Sequence, residues 1–282
     1  MAYIKKSSIF CATKPKTAPT RRKQKVFAGY DILGNIVVFK FDREMKIKDK
    51  RKIAEKFLKE HKSVRTVLDK VSGFSGRLRR QKTRWILGEK TKEVLYKENG
   101  CVFRFNVDTC YFSSRLSSER KEISLKVKKG ENVLVMFGGV SPFAVVIAKL
   151  SRAERIVSVE ISRECNNFAK ENVKRNKVED KVEVVQGGVR KVLNGVGRKG
   201  KFDRVIMTRP NLKDSFLDVA FSVVRKGGVI HYYGFSSDVG EIKDMIRGEV
   251  LKAKKNIRIL KVKKAGEIGV RKFRWRIDFK IL

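Results

Sequence analysis

Histidine and cysteine are scarce in this chain of 282 residues. It contains two histidines and four cysteines, and no two of the cysteines form a CxxC pair. Zinc sites need such residues clustered at short spacing, and a Ser/His/Asp triad needs a histidine beside its nucleophile. The sequence therefore predicts no metal and argues against hydrolytic chemistry. We expect the cysteines to be ordinary reduced thiols.

Long apolar runs are missing as well. The longest purely apolar stretches, such as 143–148, are far shorter than the roughly 20 residues that cross a bilayer. No signal-peptide pattern opens the chain. We therefore expect a cytoplasmic protein without a membrane-spanning segment.

Acidic residues are few relative to basic ones. The chain has 68 Lys and Arg against 30 Asp and Glu, a formal net charge of +38, and the excess is spread over both halves. Such a charge opposes compact folding through self-repulsion unless a polyanion is bound. A composition that is 41% hydrophobic is still sufficient for a core, and the length suggests about two domains. The sequence predicts a folded protein that binds nucleic acid.

The beginning of the chain differs from the rest in composition. The first 26 residues contain eight Lys or Arg, no acidic residue, and two prolines. Such a segment cannot bury enough apolar surface to order itself. We interpret residues 1–27 as a basic, flexible arm. Two roles are open for it at this point: contact with phosphates, or a tail without function.

Residues 28–110 have the pattern of a small α+β domain. A β-rich run is followed by an amphipathic helix, and two later β-prone runs are joined through Asn99-Gly100, a dipeptide that favours a tight hairpin. The strand is expected over 35–41, the helix over 48–61, and the hairpin strands over 92–96 and 101–107. Five Lys or Arg crowd into 75–84, which is either a solvated face or an edge that contacts RNA. The overall charge favours the RNA-contacting edge.

Residues 111–282 alternate between buried strands and helices. Five short β-branched runs have the composition of strands covered on both faces of a parallel sheet, and helical segments separate most of them. The last two β runs have no helix between them and should pair antiparallel through 266–269. The predicted fold class is α/β, a doubly wound Rossmann-like sheet with a terminal antiparallel hairpin, preceded by the small α+β domain. The strands are expected over 132–136, 155–160, 182–186, 203–207, 229–233, 257–262 and 271–281, and the helices over 143–150, 164–176, 213–225 and 238–252.

A glycine turn follows the first strand of this second domain. Gly138 and Gly139 lie between Phe137 and the helix that opens at Pro142. Glycines at the carboxyl end of a strand let the backbone pass close beneath a nucleotide. Glu160 ends the next strand, where a carboxylate can accept both hydroxyls of a ribose. Turn and acid together predict an adenosine-containing cofactor.

Several segments together resemble a known family. They are Gly29-Tyr30-Asp31-Ile32-Leu33-Gly34-Asn35-Ile36, Ser63-Val64-Arg65-Thr66-Val67-Leu68, Gly88-Glu89, Tyr111-Phe112-Ser113-Ser114-Arg115-Leu116-Ser117-Ser118-Glu119-Arg120, and Met207-Thr208-Arg209-Pro210-Asn211-Leu212-Lys213. Over residues 28–282 the chain resembles the archaeal and eukaryotic tRNA (guanine-37 N1)-methyltransferases and their relatives in wyosine synthesis. The segment that begins at Met207 is similar to the form found in the archaeal subgroup linked to wyosine derivatives.

The resemblance implies transfer of a methyl group from S-adenosylmethionine to N1 of guanosine 37, beside the tRNA anticodon. The expected partner is the anticodon stem-loop of tRNA, and we expect the protein to be a monomer. By position, Glu119 matches the general base for the N1 proton, and Arg79 matches the arginine that stabilises negative charge on the base oxygen. Arg115 is expected at the cofactor carboxylate, with a phosphate as the rival ligand. The other expected cofactor contacts are Phe137, Gly138, Gly139, Val140, Pro142, Glu160, Ile161 and Gly187, and the expected substrate-base contacts are Thr208, Arg209 and Pro210.

The chain also departs from the family pattern. Val135 stands where an acid is usual, no acid is found near Gly187-Gly188, and Thr208 replaces an asparagine. Loss of one charge-assisted hydrogen bond costs about 1.5–3 kcal/mol, roughly ten- to a hundredfold in affinity. Two alternatives therefore stay open: a tRNA-binding protein with little turnover, and methylation of a tricyclic wyosine intermediate at the same nucleotide.

Overall fold

The computed structural model describes residues 27–196, 201–208 and 214–282. The expected basic arm lies outside these residues, except for Phe27, which begins the first strand. Arg209 and Pro210, expected at the substrate base, also lie outside them. No helix of the described segments is long and apolar enough to span a membrane.

A four-stranded sheet forms the N-terminal part. Its strands lie in the order β1-β2-β3-β4, with β2 and β3 parallel and the other two pairs antiparallel. The predicted strand and helix are present as β2 and α1, and α1 connects the two parallel strands. The pattern did not predict β1, β3 or β4. The elements are β1 Phe27–Leu33, β2 Ile36–Phe41, α1 Ile47–Glu60, β3 Thr66–Lys70 and β4 Thr83–Gly88.

Strand β2 is covered on both faces, because successive side chains point to opposite sides of a sheet. Ile36 and Val38 pack into the core shared with the C-terminal part of the chain. Val37 and Phe39 face the other way, into a core that includes Phe57 of α1. Both cores therefore meet along this strand.

A two-stranded hairpin follows, formed by β5 Glu93–Glu98 and β6 Cys101–Asn106. Its turn residues Asn99 and Gly100 have φ angles of 49° and 71°. Two successive positive φ angles are the requirement of a type I′ turn, so the hairpin predicted from this dipeptide is confirmed.

The C-terminal part is a seven-stranded sheet with the order β12-β13-β11-β10-β7-β8-β9. Strands β7 to β11 are parallel, and β13 runs antiparallel between β11 and β12. This confirms the doubly wound α/β class and its terminal antiparallel hairpin. The strands are β7 Asn132–Met136, β8 Arg155–Glu160, β9 Val182–Gln186, β10 Phe202–Met207, β11 Val224–Ser236, β12 Ile257–Gly269 and β13 Lys272–Ile281. The helices are α2 Ser117–Lys126, α3 Pro142–Leu150, α4 Arg163–Arg175, α5 Val189–Val196, α6 Leu217–Val223 and α7 Val239–Lys252.

Some elements differ from expectation. The sequence did not predict α5, a helix of eight residues that contains a glycine. The helix expected over 213–225 is described only over Leu217–Val223, because Val224 already begins β11. Strand β12 continues through 266–269, where the turn was expected, and the chain reverses between β12 and β13 at 270–271.

The β5–β6 hairpin packs on α4 of the C-terminal part. The Asn172 side chain accepts from the Arg104 amide at 2.7 Å and donates to the Arg104 carbonyl at 3.0 Å. Asn176 forms the same pair of bonds with Val102, at 2.8 and 2.7 Å. Two side-chain amides thus occupy the outer edge of β6 in place of another strand. The boundaries 28–110 and 111–282 stay a prediction.

The expectation of reduced thiols is wrong for two cysteines. Cys110 and Cys165 form a disulfide, with their Cα atoms 5.5 Å apart, whereas Cys101 is free and buried. The bond joins the chain after β6 to the first turn of α4. Sequence spacing could not indicate it, because the two cysteines are separated by 55 residues and become neighbours only in the fold.

Candidate active site

A cleft of about 560 Å³ opens at the carboxyl ends of the parallel strands. It lies where the strand order reverses, with β8 and β9 on one side of β7 and β10 and β11 on the other. Open α/β sheets bind ligands at this point, because the loops from the two halves diverge there. The cleft is also lined by Phe74, Leu78 and Gln81, which precede β4. Its volume is in the range of sites for small molecules and cofactors.

The glycine turn forms the floor of the cleft. Three of its residues have left-handed backbones: Phe137 at φ 62°, Gly139 at φ 57° and Ser141 at φ 62°. A Cβ at Gly138 would lie 2.2 Å from Oγ of Ser158, so only glycine fits there. Non-glycine residues in this conformation cost free energy and cluster at functional sites. The predicted loop is therefore a tightly constrained bend at the end of β7.

Glu160 lies beside this turn, as predicted, and lines the cleft. Its carboxylate accepts from the Gly139 amide at 2.8 Å and from the Ser162 amide at 2.7 Å. Burial raises the pKa of Glu160, against the lowering effect of these backbone hydrogen bonds. The carboxylate thus ties the two loops together, and its remaining lone pairs are available to hydroxyl groups in the cleft.

The cleft contains most of the residues that the sequence analysis selected for the cofactor. Val140 is an exception, since it is fully buried and packs in the core. The residues that line the cleft are Arg115, Phe137, Gly138, Gly139, Pro142, Glu160, Ile161 and Gly187.

Thr208, selected for the substrate base, also lines the cleft at the end of β10. Its hydroxyl lies 3.2 Å from the Met136 carbonyl and 3.1 Å from the Phe137 carbonyl. In this arrangement the hydroxyl donates its proton to the backbone of the glycine turn. Thr208 therefore connects the substrate side of the cleft to the cofactor side.

Arg79 also lines the cleft. Its guanidinium carbon is 5.8 Å from the ring centre of Phe74 and 5.3 Å from that of Tyr111, within the range of cation–π attraction. Within the described segments it pairs with no carboxylate. Arg115 differs, because its guanidinium donates to Asp31 at 2.8 Å and its side chain is largely exposed.

Glu119 is placed behind the cleft wall. It is 4% exposed, and it does not line the cleft. The Tyr233 hydroxyl, which does line the cleft, donates to Oε2 of Glu119 at 3.1 Å. Arg276 pairs with the same oxygen, and Nζ of Lys263 lies 2.6 Å from Oε1. The proposed base therefore reaches the cleft through one tyrosine.

The carboxylate of Glu119 belongs to a larger buried network on β13 and α2. Arg276 also pairs with Glu122 and with Asp278. Burial alone would raise the pKa of Glu122, but hydrogen bonds from Arg276 and two lysines of β12 keep it well below its ordinary value. Sequence reasoning missed Arg276 and Lys263, which are more than 140 residues from Glu119.

His231 extends this network. Its Nδ1 donates to Asp278 at 2.7 Å, and its Nε2 accepts from Arg204 at 2.7 Å. Because an arginine can only donate, the ring is a neutral imidazole. Burial lowers the pKa of His231, and the attraction of Asp278 only partly opposes that shift. His231 is therefore a structural residue that remains uncharged in the fold.

The cleft fits an adenosine-containing methyl donor. Gly138 and Gly139 expose backbone to the cleft, and the Glu160 carboxylate lies beside them at the end of β8. The described segments hold no group of three or more His, Cys, Asp or Glu arranged to bind a metal ion.

Comparison with known proteins agrees with this geometry. The TRM5/TYW2 methyltransferase domain matches residues 94–262, more than half of the chain, and the TYW2 N-terminal domain matches residues 15–91. A tRNA (guanine(37)-N(1))-methyltransferase, Trm5b of Pyrococcus abyssi, is 32% identical over 255 residues, which cover 89% of this chain and 74% of the relative.

A second relative is the tRNA (guanine(37)-N(1))/4-demethylwyosine(37)-methyltransferase Taw22 of Nanoarchaeum equitans. It is 31% identical, and the alignment covers 90% of this chain and 99% of the relative. Among solved structures, the complex of aTrm5 with tRNALeu superimposes with a TM-score of 0.81 at 28% identity, covering 91% of this chain and 73% of that one. The resemblance stated from the sequence motifs is confirmed, and the chain belongs to the TRM5/TYW2 methyltransferase family.

Proposed function

We propose that this protein transfers a methyl group from S-adenosylmethionine to N1 of guanosine 37 in tRNA. The observation that carries the proposal is the composition of one cleft. The glycine turn and Glu160 line it together with Arg77 and Arg79, which pair with no carboxylate in the described segments. The cleft can therefore bind an adenosine-containing cofactor and a nucleotide of a polyanion side by side.

The cofactor supplies an electrophilic methyl group bound to a positively charged sulfur. Glu160 accepts hydrogen bonds from the ribose, and the glycine turn leaves room for the donor against the backbone. Neutral guanine carries a proton on N1, so its lone pair becomes available only as that proton leaves. In this proposal Glu119 takes the proton, and Arg79 stabilises the negative charge that develops on the base oxygen.

The position of Glu119 requires that the N1 proton reach it through another residue. Its carboxylate lies behind the Tyr233 hydroxyl, which donates to it at 3.1 Å. Burial, reinforced by the Glu119 charge, raises the pKa of Tyr233 well above its ordinary value, so the hydroxyl stays protonated and can pass its own proton on. The N1 proton would move to the Tyr233 oxygen while the tyrosine proton moves to Oε2 of Glu119.

The nucleic acid is held by the basic surface around the cleft. A base in the anticodon loop must turn outward to reach a pocket of this depth. The arginines before β4, Arg77, Arg79 and Arg80, can contact phosphates on either side of the extruded nucleotide. Each phosphate contact releases counterions, so binding should weaken steeply with added salt.

The test is mass spectrometry of nucleosides from a tRNA transcript incubated with the protein and isotope-labelled S-adenosylmethionine. We expect labelled 1-methylguanosine from a transcript with guanosine at position 37, and none from a matched transcript with adenosine there. Absence of label in both transcripts, or equal label in both, would show that the proposed reaction is wrong.

A second substrate is favoured by one specific observation. Taw22, which aligns with this chain over 99% of its own length, is named for activity on both guanosine and 4-demethylwyosine. The same assay with tRNA that carries the tricyclic base tests this activity. Label in the tricyclic nucleoside would add it to the function, whereas label in guanosine alone would restrict the enzyme to the unmodified base.

A tRNA-binding protein with little turnover is the third reading. Val135 is fully buried in β7, and no carboxylate accompanies Gly187 and Gly188 at the cleft. Calorimetry decides between the readings, because an enzyme must bind S-adenosylmethionine, whereas no heat at millimolar ligand would favour the binding protein. We further expect a cytoplasmic monomer, and gel filtration at micromolar concentration tests the oligomeric state.

A further inference from the structure

Arg274 is a buried cation without an ion-pair partner. It lies on β13 and is 8% exposed. In the described segments it pairs with no carboxylate, and its one hydrogen bond goes from Nη2 to the Tyr111 hydroxyl at 3.1 Å. The planar guanidinium carries five N–H donors, so most of its donor capacity is unused. Because Arg274 lines the cleft, these unused donors are available to an anionic ligand there, and charge-assisted hydrogen bonds of this kind are strong.

The surroundings of Arg274 hold it in the cleft. Its guanidinium carbon lies 5.4 Å from the ring centre of Phe235, its neighbour on the adjacent strand. Arg274, Phe235 and Tyr111 all line the cleft. Tyr111 is also the ring over which Arg79 lies, at 5.3 Å. Two arginines without carboxylate partners are therefore joined through one tyrosine, and their charges favour an anion between them.

The sheet order indicates which anion this is. The cofactor-side residues follow β7, β8 and β9, whereas Arg274 lies on β13, beyond β10 and β11 on the other side of β7. Thr208, which was selected for the substrate base, directly follows β10 on that same side. The location therefore favours an anionic oxygen of the nucleic acid over the carboxylate of the cofactor.

We propose that Arg274 binds an anionic oxygen of the target nucleotide in the cleft. This inference rests on the proposed function and extends it by a substrate-binding residue. Two oxygens of the nucleotide have the required chemistry: a backbone phosphate, which is charged throughout, and the base oxygen, which gains charge as N1 loses its proton. A phosphate contact contributes to tRNA affinity, whereas a contact with the base oxygen contributes to the rate of methyl transfer.

The experiment compares Arg274→Gln with Arg258→Gln. Arg258 is an exposed arginine at the far end of β12 that does not line the cleft, so its replacement removes the same charge outside the site. Three quantities are measured for each variant: the Kd for S-adenosylmethionine by calorimetry, the Kd for tRNA by filter binding, and the single-turnover rate at saturating tRNA.

For Arg274→Gln we expect an unchanged cofactor Kd and a roughly ten- to hundredfold loss in either tRNA affinity or methylation rate, the size of one charged hydrogen bond. Loss of affinity identifies the phosphate, and loss of rate identifies the base oxygen. Arg274→Lys keeps the charge and should recover part of the loss. If Arg274→Gln behaves like Arg258→Gln, or weakens only the cofactor, the inference is wrong.

Thermal unfolding separates ligand binding from a structural role. A structural arginine stabilises the free protein, so its loss lowers the Tm. Arg274 carries an uncompensated charge in the free protein, so we expect the Tm of Arg274→Gln to equal or exceed that of the wild type. A lower Tm without any change in tRNA binding or rate would contradict the inference. If the wild-type protein does not methylate tRNA, the proposed reaction is wrong. The Kd for tRNA and the Tm still test the role of Arg274 in that case.

Discussion

The Tyr233 hydroxyl donates to the Glu119 carboxylate at 3.1 Å, and of these two residues only the tyrosine lines the cleft. Arg276 and Lys263 hold the same carboxylate from behind. The network fixes the position of Glu119, the proposed general base, but its carboxylate oxygens do not line the cleft. A proton from the cleft would therefore reach Glu119 through the Tyr233 hydroxyl, and substitutions at both residues test this path.

Replacement of Glu119 by glutamine should lower the single-turnover methylation rate by about 100-fold or more, the usual contribution of a general base. Glutamine is preferred to alanine, because removing one partner of a buried ion pair costs about 3–5 kcal/mol and could unfold the protein. Cofactor affinity, measured by calorimetry, should be retained.

Glu122→Gln is the matched control for that variant. Glu122 lies on the same helix and pairs with the same Arg276 and Lys263, but not with Tyr233. We expect it to keep most of the rate. Tyr233→Phe then tests the path, and it should lose rate as Glu119→Gln does. A normal rate in Glu119→Gln would remove Glu119 from the mechanism, and a normal rate in Tyr233→Phe alone would mean that the carboxylate contacts the substrate directly.

Replacement of Glu160 by glutamine should weaken S-adenosylmethionine binding roughly ten- to a hundredfold. The glutamine amide places its N–H₂ group against either the Gly139 or the Ser162 backbone amide, and it removes the charge that would accept the ribose hydroxyls. Calorimetry measures the Kd. Glu154→Gln, an exposed position just before β8, is the control and should leave it unchanged. An equal Kd in both variants would refute the ribose assignment.

The Cys110–Cys165 disulfide predicts a thiol count and a stability change. In unreduced, denatured protein we expect two reactive thiols of the four cysteines, and four after reduction. Closing a loop of 55 residues contributes ~4 kcal/mol in the chain-entropy account, so reduction should lower the Tm by several degrees.

The control for reduction is the variant in which both cysteines are replaced by serine. Its Tm should already be low and should not respond to the reductant. Four reactive thiols before reduction would show that the bond does not form in solution.

Acid should destabilise the fold through His231. Burial holds the pKa of His231 below its ordinary value, so the folded protein keeps the ring neutral while the unfolded chain takes up a proton below about pH 6.5. The free energy of unfolding should therefore be fully present above that pH and fall as the pH is lowered. Asp278, whose pKa is also lowered, adds a loss in the same direction.

Urea unfolding at pH 5, 6, 7 and 8 measures this dependence. In His231→Gln, which has no titrating ring, the loss between pH 7 and pH 5 should be smaller than in the wild type. Parallel pH profiles for the two proteins would mean that His231 is not the group responsible.

The parallel strands and the Asn99-Gly100 hairpin could be predicted because their signals are local. The β-branched runs at β7, β8 and β9 begin and end where the structure has them, and the turn at Asn99-Gly100 needs only its own two residues. A short run of β-branched residues and a pair of positive φ angles are properties of neighbouring residues. Tertiary contacts do not alter them.

The environment of Glu119 and the unpaired state of Arg274 could not be predicted. Glu119 was selected by a motif, but its partners Arg276 and Lys263 lie on strands at the other end of the sequence. Arg274 is one of 68 basic residues, and nothing local distinguishes it from those on the surface. The burial of Glu119 and Arg274 and the lack of a carboxylate partner for Arg274 depend on which distant segments of the chain become neighbours. The same holds for the Cys110–Cys165 disulfide.

Asn172 and Asn176 hold the β5–β6 hairpin on α4, and the core that Ile36 and Val38 share with the C-terminal part joins the four-stranded sheet to it. The part of the protein expected to bind RNA and the part expected to bind the methyl donor are thus packed against each other. A bound tRNA must bring its nucleotide to the donor by distorting its own loop, since packed side chains resist displacement. Transcripts whose anticodon-loop bases unstack easily should then be the faster substrates.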